Sequence, residues 1–331
     1  VREFAYQRAA QIRDALTAVA DDAGARYLGG GTNIVDLMKC GVEEPTRLVD
    51  VRRLPLDGVS GTPDGGLVIG ATTTNSDLAA HPEVRRRFPS VSQAVLAGAS
   101  GQLRNMATVG GNLLQRTRCG YFADLSRPCN KRTPGSGCAA IEGVHHNHAV
   151  LGHSEHCVAT HPSDMAVALA ALDAVVCYET LDGPGEVPLS RFYLPVGDRP
   201  DRETALPAGA LITAVVLPGA AAGLRSRYRK VRERASYAFA TVSVAAALDI
   251  RDGVVRDVRI ALGGVASRPW RAGSAEALLR GTRPTADRLL ACAEEALSEA
   301  NPLPDNGYKV ILARNLIEAV LGELAGTEMD R

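Results

Sequence analysis

The chain is 331 residues long, 46% apolar and 22% charged, with 37 lysines and arginines matched by 37 aspartates and glutamates. That length accommodates two or three domains with cores of their own, and the balanced charge speaks against nucleic acid or an anionic membrane surface, each of which needs a basic face. No apolar run reaches the roughly 20 residues that span a bilayer, residues 1–11 carry charges where a secretory signal carries an apolar stretch, and 4% aromatics leave little to stack on bases.

Residues 3–6 read as a short strand, and residues 8–21 place alanines with Ile12, Leu16 and Val19 on one helical face. A strand at 25–28 runs into Gly29-Gly30-Gly31-Thr32-Asn33 and a helix ending near Lys39, and residues 47–51 complete a small β-α-β-α-β unit. A new strand starts at 67–70. Thr74-Asn75-Ser76-Asp77 supplies cap chemistry for a helix from Leu78, and helical patterns continue over 84–88 and 91–96. After a glycine-rich run at 98–112 and a cysteine-bearing segment, Ser163 caps an alanine-rich helix over 164–172. Strands at 174–179 and 211–217 flank a long irregular connection marked by Gly183-Pro184-Gly185, Pro188, Pro195 and Pro200. The small-residue stretch 218–223 is the expected domain boundary. Beyond it, strand-like runs at 226–231, 241–250 and 254–262 precede helices at 286–300 and 308–325. That order predicts an α+β domain with helices on one face of an antiparallel sheet.

The run 29–33 sits between a strand and a helix, where glycines let the backbone approach an anion and the helix start adds positive partial charge. It has neither the third glycine of a dinucleotide fingerprint nor a Walker lysine, and taken alone it serves equally as a tight turn. A second loop, Thr108-Val109-Gly110-Gly111-Asn112, follows Arg104 and Asn105. Two loops that each place an asparagine after glycines suit the two phosphates of a dinucleotide better than one phosphate.

Four of the seven cysteines and six of the seven histidines lie between Cys119 and His161. An odd cysteine count with no visible export signal favours thiols or metal ligands over a disulfide framework. Cys119, Cys129, Cys138 and Cys157 are spaced C-x9-C-x8-C-x18-C, which is neither a zinc-ribbon pattern nor a common ferredoxin run. From spacing alone a [4Fe-4S] cluster, a zinc ion and two disulfides all stay open. The histidines have no regular ligand spacing and read as a solvated loop. Arg116, Arg118, Arg127, Lys131 and Arg132 make the first part of the segment basic, either as a solvated face or to tune a cluster or dock an acidic surface. Cys40, Cys177 and Cys292 are isolated and read as buried small hydrophobes. Lys230 falls on the opposite face of its strand from Arg229 and Val231, which suits an inward lysine at a cofactor edge or a surface lysine equally. No Ser-His-Asp grouping, nucleophile elbow or HExxH supports hydrolysis.

With these residues in view, the chain resembles the FAD-binding subunit of the molybdenum hydroxylases, the xanthine dehydrogenase and aldehyde oxidoreductase group, over essentially its whole length. The likeness is carried by Gly29-Gly30-Gly31-Thr32-Asn33, Gln102-Leu103-Arg104-Asn105, Gly110-Gly111-Asn112-Leu113, Ser163-Asp164, Lys230 and the run 238–247. The four-cysteine insertion is similar to that of the medium subunit of three-subunit, periplasmic-type aldehyde oxidoreductases, where it holds a [4Fe-4S] cluster. Benzoyl-CoA-type reductases carry an insertion of different spacing.

The resemblance implies an α+β chain with a two-subdomain FAD-binding fold of PCMH/VAO type at 1–55 and 56–217. It adds an iron–sulfur insertion at about 116–160 and a C-terminal α+β domain at 224–331. It implies that Tyr27, Leu28, Gly29, Gly30, Gly31, Thr32, Asn33 and Ile34 bind FAD with Gly101, Thr108, Gly110, Gly111 and Asn112. Gln115, Asp164 and Lys230 fall beside the flavin ring, and Cys119, Cys129, Cys138 and Cys157 become cluster ligands. No catalytic residue is expected in this chain. The implied partners are a molybdopterin-containing large subunit, a [2Fe-2S] small subunit and an external electron acceptor, with neither nucleic acid nor membrane. The complex is expected to be soluble, periplasmic by export on a partner's signal or else cytoplasmic. A stand-alone flavoenzyme and a zinc-stabilised, colourless assembly module are the rival readings.

Overall fold

The computed structural model describes residues 1–326; residues 327–331, the end of the expected C-terminal unit, lie outside the described residues. Among the described residues, three sheets carry the strands. The first is parallel, with β1 (Ala5–Arg8), β2 (Ala25–Leu28) and β3 (Arg47–Asp50) in spatial order β1-β3-β2. The second is antiparallel and contains β4 (Val59–Gly61), β5 (Leu67–Gly70), β6 (Val175–Thr180), β7 (Gly183–Pro188) and β8 (Leu211–Leu217) in the order β4-β5-β8-β6-β7. The third, also antiparallel, runs β12-β11-β10-β9 from β9 (Arg225–Val231), β10 (Val242–Arg251), β11 (Val254–Gly263) and β12 (Trp270–Arg271).

β7 occupies a stretch expected to be irregular. Gly183, at φ +125°, turns the chain back onto β6. Pro184 and Pro188 are tolerated because β7 is an edge strand, where a missing N–H can face away from the sheet. The helix Gly273–Leu279 was also not expected. It is held by tertiary burial of Ala275 and Leu279 in the C-terminal core.

β10 is buried on both faces, and its period of two divides it between two cores. Ala245 and Ala247 face a core shared with Ile69, Met165 and Leu169. Val244, Ala246 and Leu248 face another with Ile317, Val320 and Leu321. Alanines on the first side let the helix Asp164–Ala171 lie close against β10 and β11. That packing brings the start of the helix beside β9, and so Asp164 beside Lys230.

The cysteine-bearing segment orders itself partly by burial. Phe122, Ala140, Val150 and Leu151 are buried within it, and Val150 and Leu151 join the C-terminal core. The basic run is not a solvated face. Arg116 pairs with Glu43 and Glu203, Lys131 with Glu203 and Arg118 with Asp36, while Arg132 donates to the carbonyls of Tyr121 and Phe122. Among the described residues no helix is long and apolar enough to cross a membrane.

Candidate cofactor cleft and thiol cluster

The two glycine loops touch. A Cβ on Gly30 would stand 1.7 Å from the Met106 carbonyl oxygen, and one on Gly29 would stand 2.7 Å from Thr108 Oγ1. The absent side chains therefore serve first to let one loop abut the other. Gly31, at φ +76°, adds a left-handed turn. Thr108 Oγ1 accepts from the Gly111 N–H at 3.2 Å and starts the helix Val109–Leu113. Cavities of about 360 and 190 Å³ adjoin at this contact, sharing Thr32, Asn33 and Gly111 in their walls. Tyr27, Gly29, Gly30, Gly31, Ile34, Thr108 and Gly110 line the larger, while Asn112, Gln115, Asp164 and Lys230 line the smaller. Leu28 and Gly101 line neither. Leu28 lies behind Gly31, and Gly101 is exposed with open space where a Cβ would go.

Among the described residues, three polar atoms in the cleft walls are buried without a partner: Asn33 Nδ2, Asn75 Oδ1 and Thr72 Oγ1. Buried polar groups are ordinarily hydrogen-bonded, and these three atoms are free to meet a polar ligand in the cleft. A free amide donor beside two glycine loops fits a phosphate oxygen, and donors and acceptors further along the walls fit the remainder of a dinucleotide. The opposite side of the Asn33 amide is fixed, since its Oδ1 accepts from the Arg116 N–H at 2.9 Å. Asn75 and Thr72 were missed in the sequence because Asn75 reads there as part of a helix cap.

A hydrogen-bonded chain ties the second loop to the helix start. Gln115 Nε2 donates to the carbonyl and side-chain oxygens of Asn112, each at 3.0 Å. Ser163 Oγ donates to Asn112 Oδ1 at 2.6 Å and accepts from the Ala166 N–H at 3.0 Å. The next residue, Asp164, is engaged on both oxygens: the Tyr228 hydroxyl donates to Oδ1, and the Lys230 ammonium lies 2.8 Å from Oδ2. Lys230 also donates to the Ala97 carbonyl at 3.2 Å. Burial and the neighbouring Asp164 carboxylate hold the Tyr228 phenol well above its usual range, so it stays a donor. Lys230 thus faces inward, but Asp164 offsets its charge. Tyr228, two positions away on the same face of β9, is a site residue that the sequence reading did not name.

Cys119, Cys129, Cys138 and Cys157 are free thiols brought into one neighbourhood. Cys129 and Cys138 face each other across a β-bridge, and Cys119 packs with Cys129 on one side and Cys157 on the other. Cys138 and Cys157 interact closely enough that the Cys138 thiol is lowered and the buried Cys157 thiol raised. Burial raises Cys119. Among the described residues, no three His, Cys, Asp or Glu side chains converge as the ligands of a single ion do. The thiols adjoin the cleft. Arg118 stacks over the Phe239 ring at 5.0 Å, both line the smaller cavity, and Cys119 is the next residue.

A solvated loop does not describe all the histidines. His145 is buried and its Nε2 accepts from the Asp305 N–H. His161 packs at a tilt against Tyr193 with ring centroids 4.4 Å apart, and burial holds it down at about 4. His148 Nε2 lies 3.2 Å from Cys119 Sγ. Of the isolated cysteines only Cys292 is fully buried as expected. Cys177 is half-buried, and Cys40 is exposed where the helix Ile34–Lys39 ends at the surface.

Residues 2–220 match the family described as the FAD binding domain in molybdopterin dehydrogenase, and residues 226–324 match the CO dehydrogenase flavoprotein C-terminal domain. The chain belongs to the FAD-binding flavoprotein subunits of the molybdenum hydroxylases, a family of oxidoreductases, and the expected family and α+β fold are borne out. It is 51% identical to the aldehyde oxidoreductase FAD-binding subunit PaoB of Escherichia coli K12, over 98% of both chains. It is 26% identical to the glyceraldehyde dehydrogenase medium chain of Sulfolobus acidocaldarius, over 92% of this chain and 90% of that one. In fold it matches a carbon monoxide dehydrogenase of Hydrogenophaga pseudoflava with a TM-score of 0.77, at 24% identity over 99% of both chains. Quinoline 2-oxidoreductase of Pseudomonas putida 86 matches with a TM-score of 0.76, at 23% identity over 98% of both.

Proposed function

We propose that this chain is the electron-relay subunit of a molybdenum-dependent aldehyde oxidoreductase, binding FAD in the cleft and one [4Fe-4S] cluster on Cys119, Cys129, Cys138 and Cys157. The observation that carries the reading is adjacency: the four thiols begin at Cys119, next to Arg118 in the wall of the cleft that Asp164, Lys230 and Gln115 also line. The 51% identity to an aldehyde oxidoreductase subunit supports the substrate class. Bound here, FAD and the cluster supply the capacity to take electrons singly and release them in pairs.

The chain's own residues do the holding. The backbone of the two glycine loops would cradle the pyrophosphate, and the free Asn33 Nδ2 amide would be available to donate to it. Gln115 and the Asp164–Lys230 pair fix the polarity beside the ring, where the pair contributes a dipole without net charge. Four thiolates match the ligand demand of a cubane. We divide the chain into 1–55, 56–217 with the insertion at about 116–160, and 224–331. The polar groups of the cleft are committed to one another or to the cofactor. Two-electron oxidation of the aldehyde therefore falls to a molybdopterin-containing large subunit, with a [2Fe-2S] small subunit passing electrons inward and an external acceptor removing them.

The test is spectroscopic. Anaerobically purified protein should show flavin bands on a broad absorbance shoulder. Aldehyde should leave the isolated chain's spectrum unchanged and bleach that of the assembled complex. A colourless protein, or steady aldehyde turnover by the isolated flavin-loaded chain with an artificial acceptor, refutes the reading.

A further inference from the structure

Among the described residues, His148 is the one histidine of the insertion whose ring is in contact with a thiol sulfur: its Nε2 lies 3.2 Å from Cys119 Sγ, and its Nδ1 is buried without a partner there. A cysteinate that holds a cluster has no proton to give, so a ring nitrogen at this distance from its sulfur is the donor. The backbone of this residue is fixed from the C-terminal side. Its carbonyl accepts from Lys309 Nζ at 2.8 Å and from Asn306 Nδ2 at 3.4 Å. Lys309 and Asn306 are fully buried at the start of the helix Tyr308–Ala325, and they also bond the carbonyls of Asn147 and Ala149 at 3.1 and 3.2 Å. The contact with Cys119 is thus built by two parts of the chain and is not an incidental loop encounter.

We infer that His148 donates an Nε2–H···Sγ hydrogen bond to Cys119 and so raises the reduction potential of the cluster that Cys119 helps to hold, an inference that rests on the cluster reading above. The physical reason is electrostatic. Reduction adds one electron, part of whose charge resides on the cysteinate sulfurs. An N–H aimed at one of those sulfurs stabilises the reduced form more than the oxidised form. His148 is a positioning and tuning residue here, with no contact to substrate.

The test is a potentiometric titration of the holo-protein, with dithionite as reductant and the cluster followed by EPR. Iron and sulfide are counted on the same samples. His148→Phe fills the site without a donor and should shift the midpoint to lower potential. His148→Gln keeps an N–H and should stay close to the unaltered protein. An unchanged midpoint in His148→Phe, with iron intact, overturns the inference and leaves the cluster reading standing. A second measurement needs no variant: protein carrying isotopically labelled histidine should show, in its reduced state, a histidine nitrogen and an exchangeable proton coupled to the cluster by ENDOR. That signal decides the matter if His148→Phe loses its iron, and its absence overturns the inference. Protein that binds no iron at all sinks the cluster reading itself, and this inference with it.

Discussion

Lys230 and Asp164, 66 positions apart in the chain, meet at 2.8 Å with side chains only 3% and 8% exposed. The pair is buried as a neutral unit, with the Tyr228 hydroxyl on the second carboxylate oxygen. Removing one partner strands the charge of the other away from water. Lys230→Met and Asp164→Asn should therefore each cost about 3–5 kcal/mol of stability. The double variant should cost less than the sum of the two. Urea unfolding of all four proteins reads this, and strict additivity would show that the two side chains do not act as a pair.

Gly30 and Gly101 should respond oppositely to the same change. A Cβ at Gly30 meets the Met106 backbone at 1.7 Å, so Gly30→Ala must push the two loops apart. It should lower the flavin-to-protein absorbance ratio and the melting temperature together. Gly101 lies in the helix Gly101–Met106 with nothing near its Cβ position. Gly101→Ala should retain flavin and gain up to about 1 kcal/mol from helix propensity. Equal flavin content in both variants would contradict the contact between the loops.

Burial depresses His161 from 6.5 to about 4. Between those values the unfolded chain binds a proton that the folded chain does not, so stability falls as pH drops from 6.5 towards 4 and is unaffected above 6.5. A shift of that size is worth roughly 3 kcal/mol. His161→Phe keeps a ring against Tyr193 and should flatten this acid limb. An identical pH profile for the variant would count against the buried neutral imidazole.

Lys309 works in the alkaline direction. Burial lowers it from 10.5 to about 7. Between those values the folded chain lacks a proton that the unfolded chain holds, so its contribution to stability rises with pH from 7 to 10.5. Lys309→Met should remove that rise, and denaturant unfolding at several pH values reads it. A slope that survives the substitution would show that it does not arise from Lys309.

The legible parts of this site are those that local chemistry decides. Ser163 followed by an alanine-rich run specifies a helix start wherever it falls, and the glycine loops between strands and helices announce close backbone approach. The illegible parts depend on what meets across the fold. Nothing near Asp164 in sequence indicates that Tyr228, 64 positions on, bonds one of its oxygens. His145 and His148 read as solvated because the residues covering them, Asp305, Asn306 and Lys309, come from the last helix and the turn before it. β7 was hidden by its prolines, which an edge strand tolerates and an interior strand does not.

Metal, sulfide and flavin analysis of anaerobically purified protein decides whether the four thiols hold a cluster beside FAD. About four irons with matching acid-labile sulfide and one FAD per chain are expected. Iron should be lost in Cys138→Ser and retained in Cys292→Ser, whose cysteine lies buried in the C-terminal core. Stoichiometric zinc without sulfide, or iron retained in Cys138→Ser, would contradict that cluster.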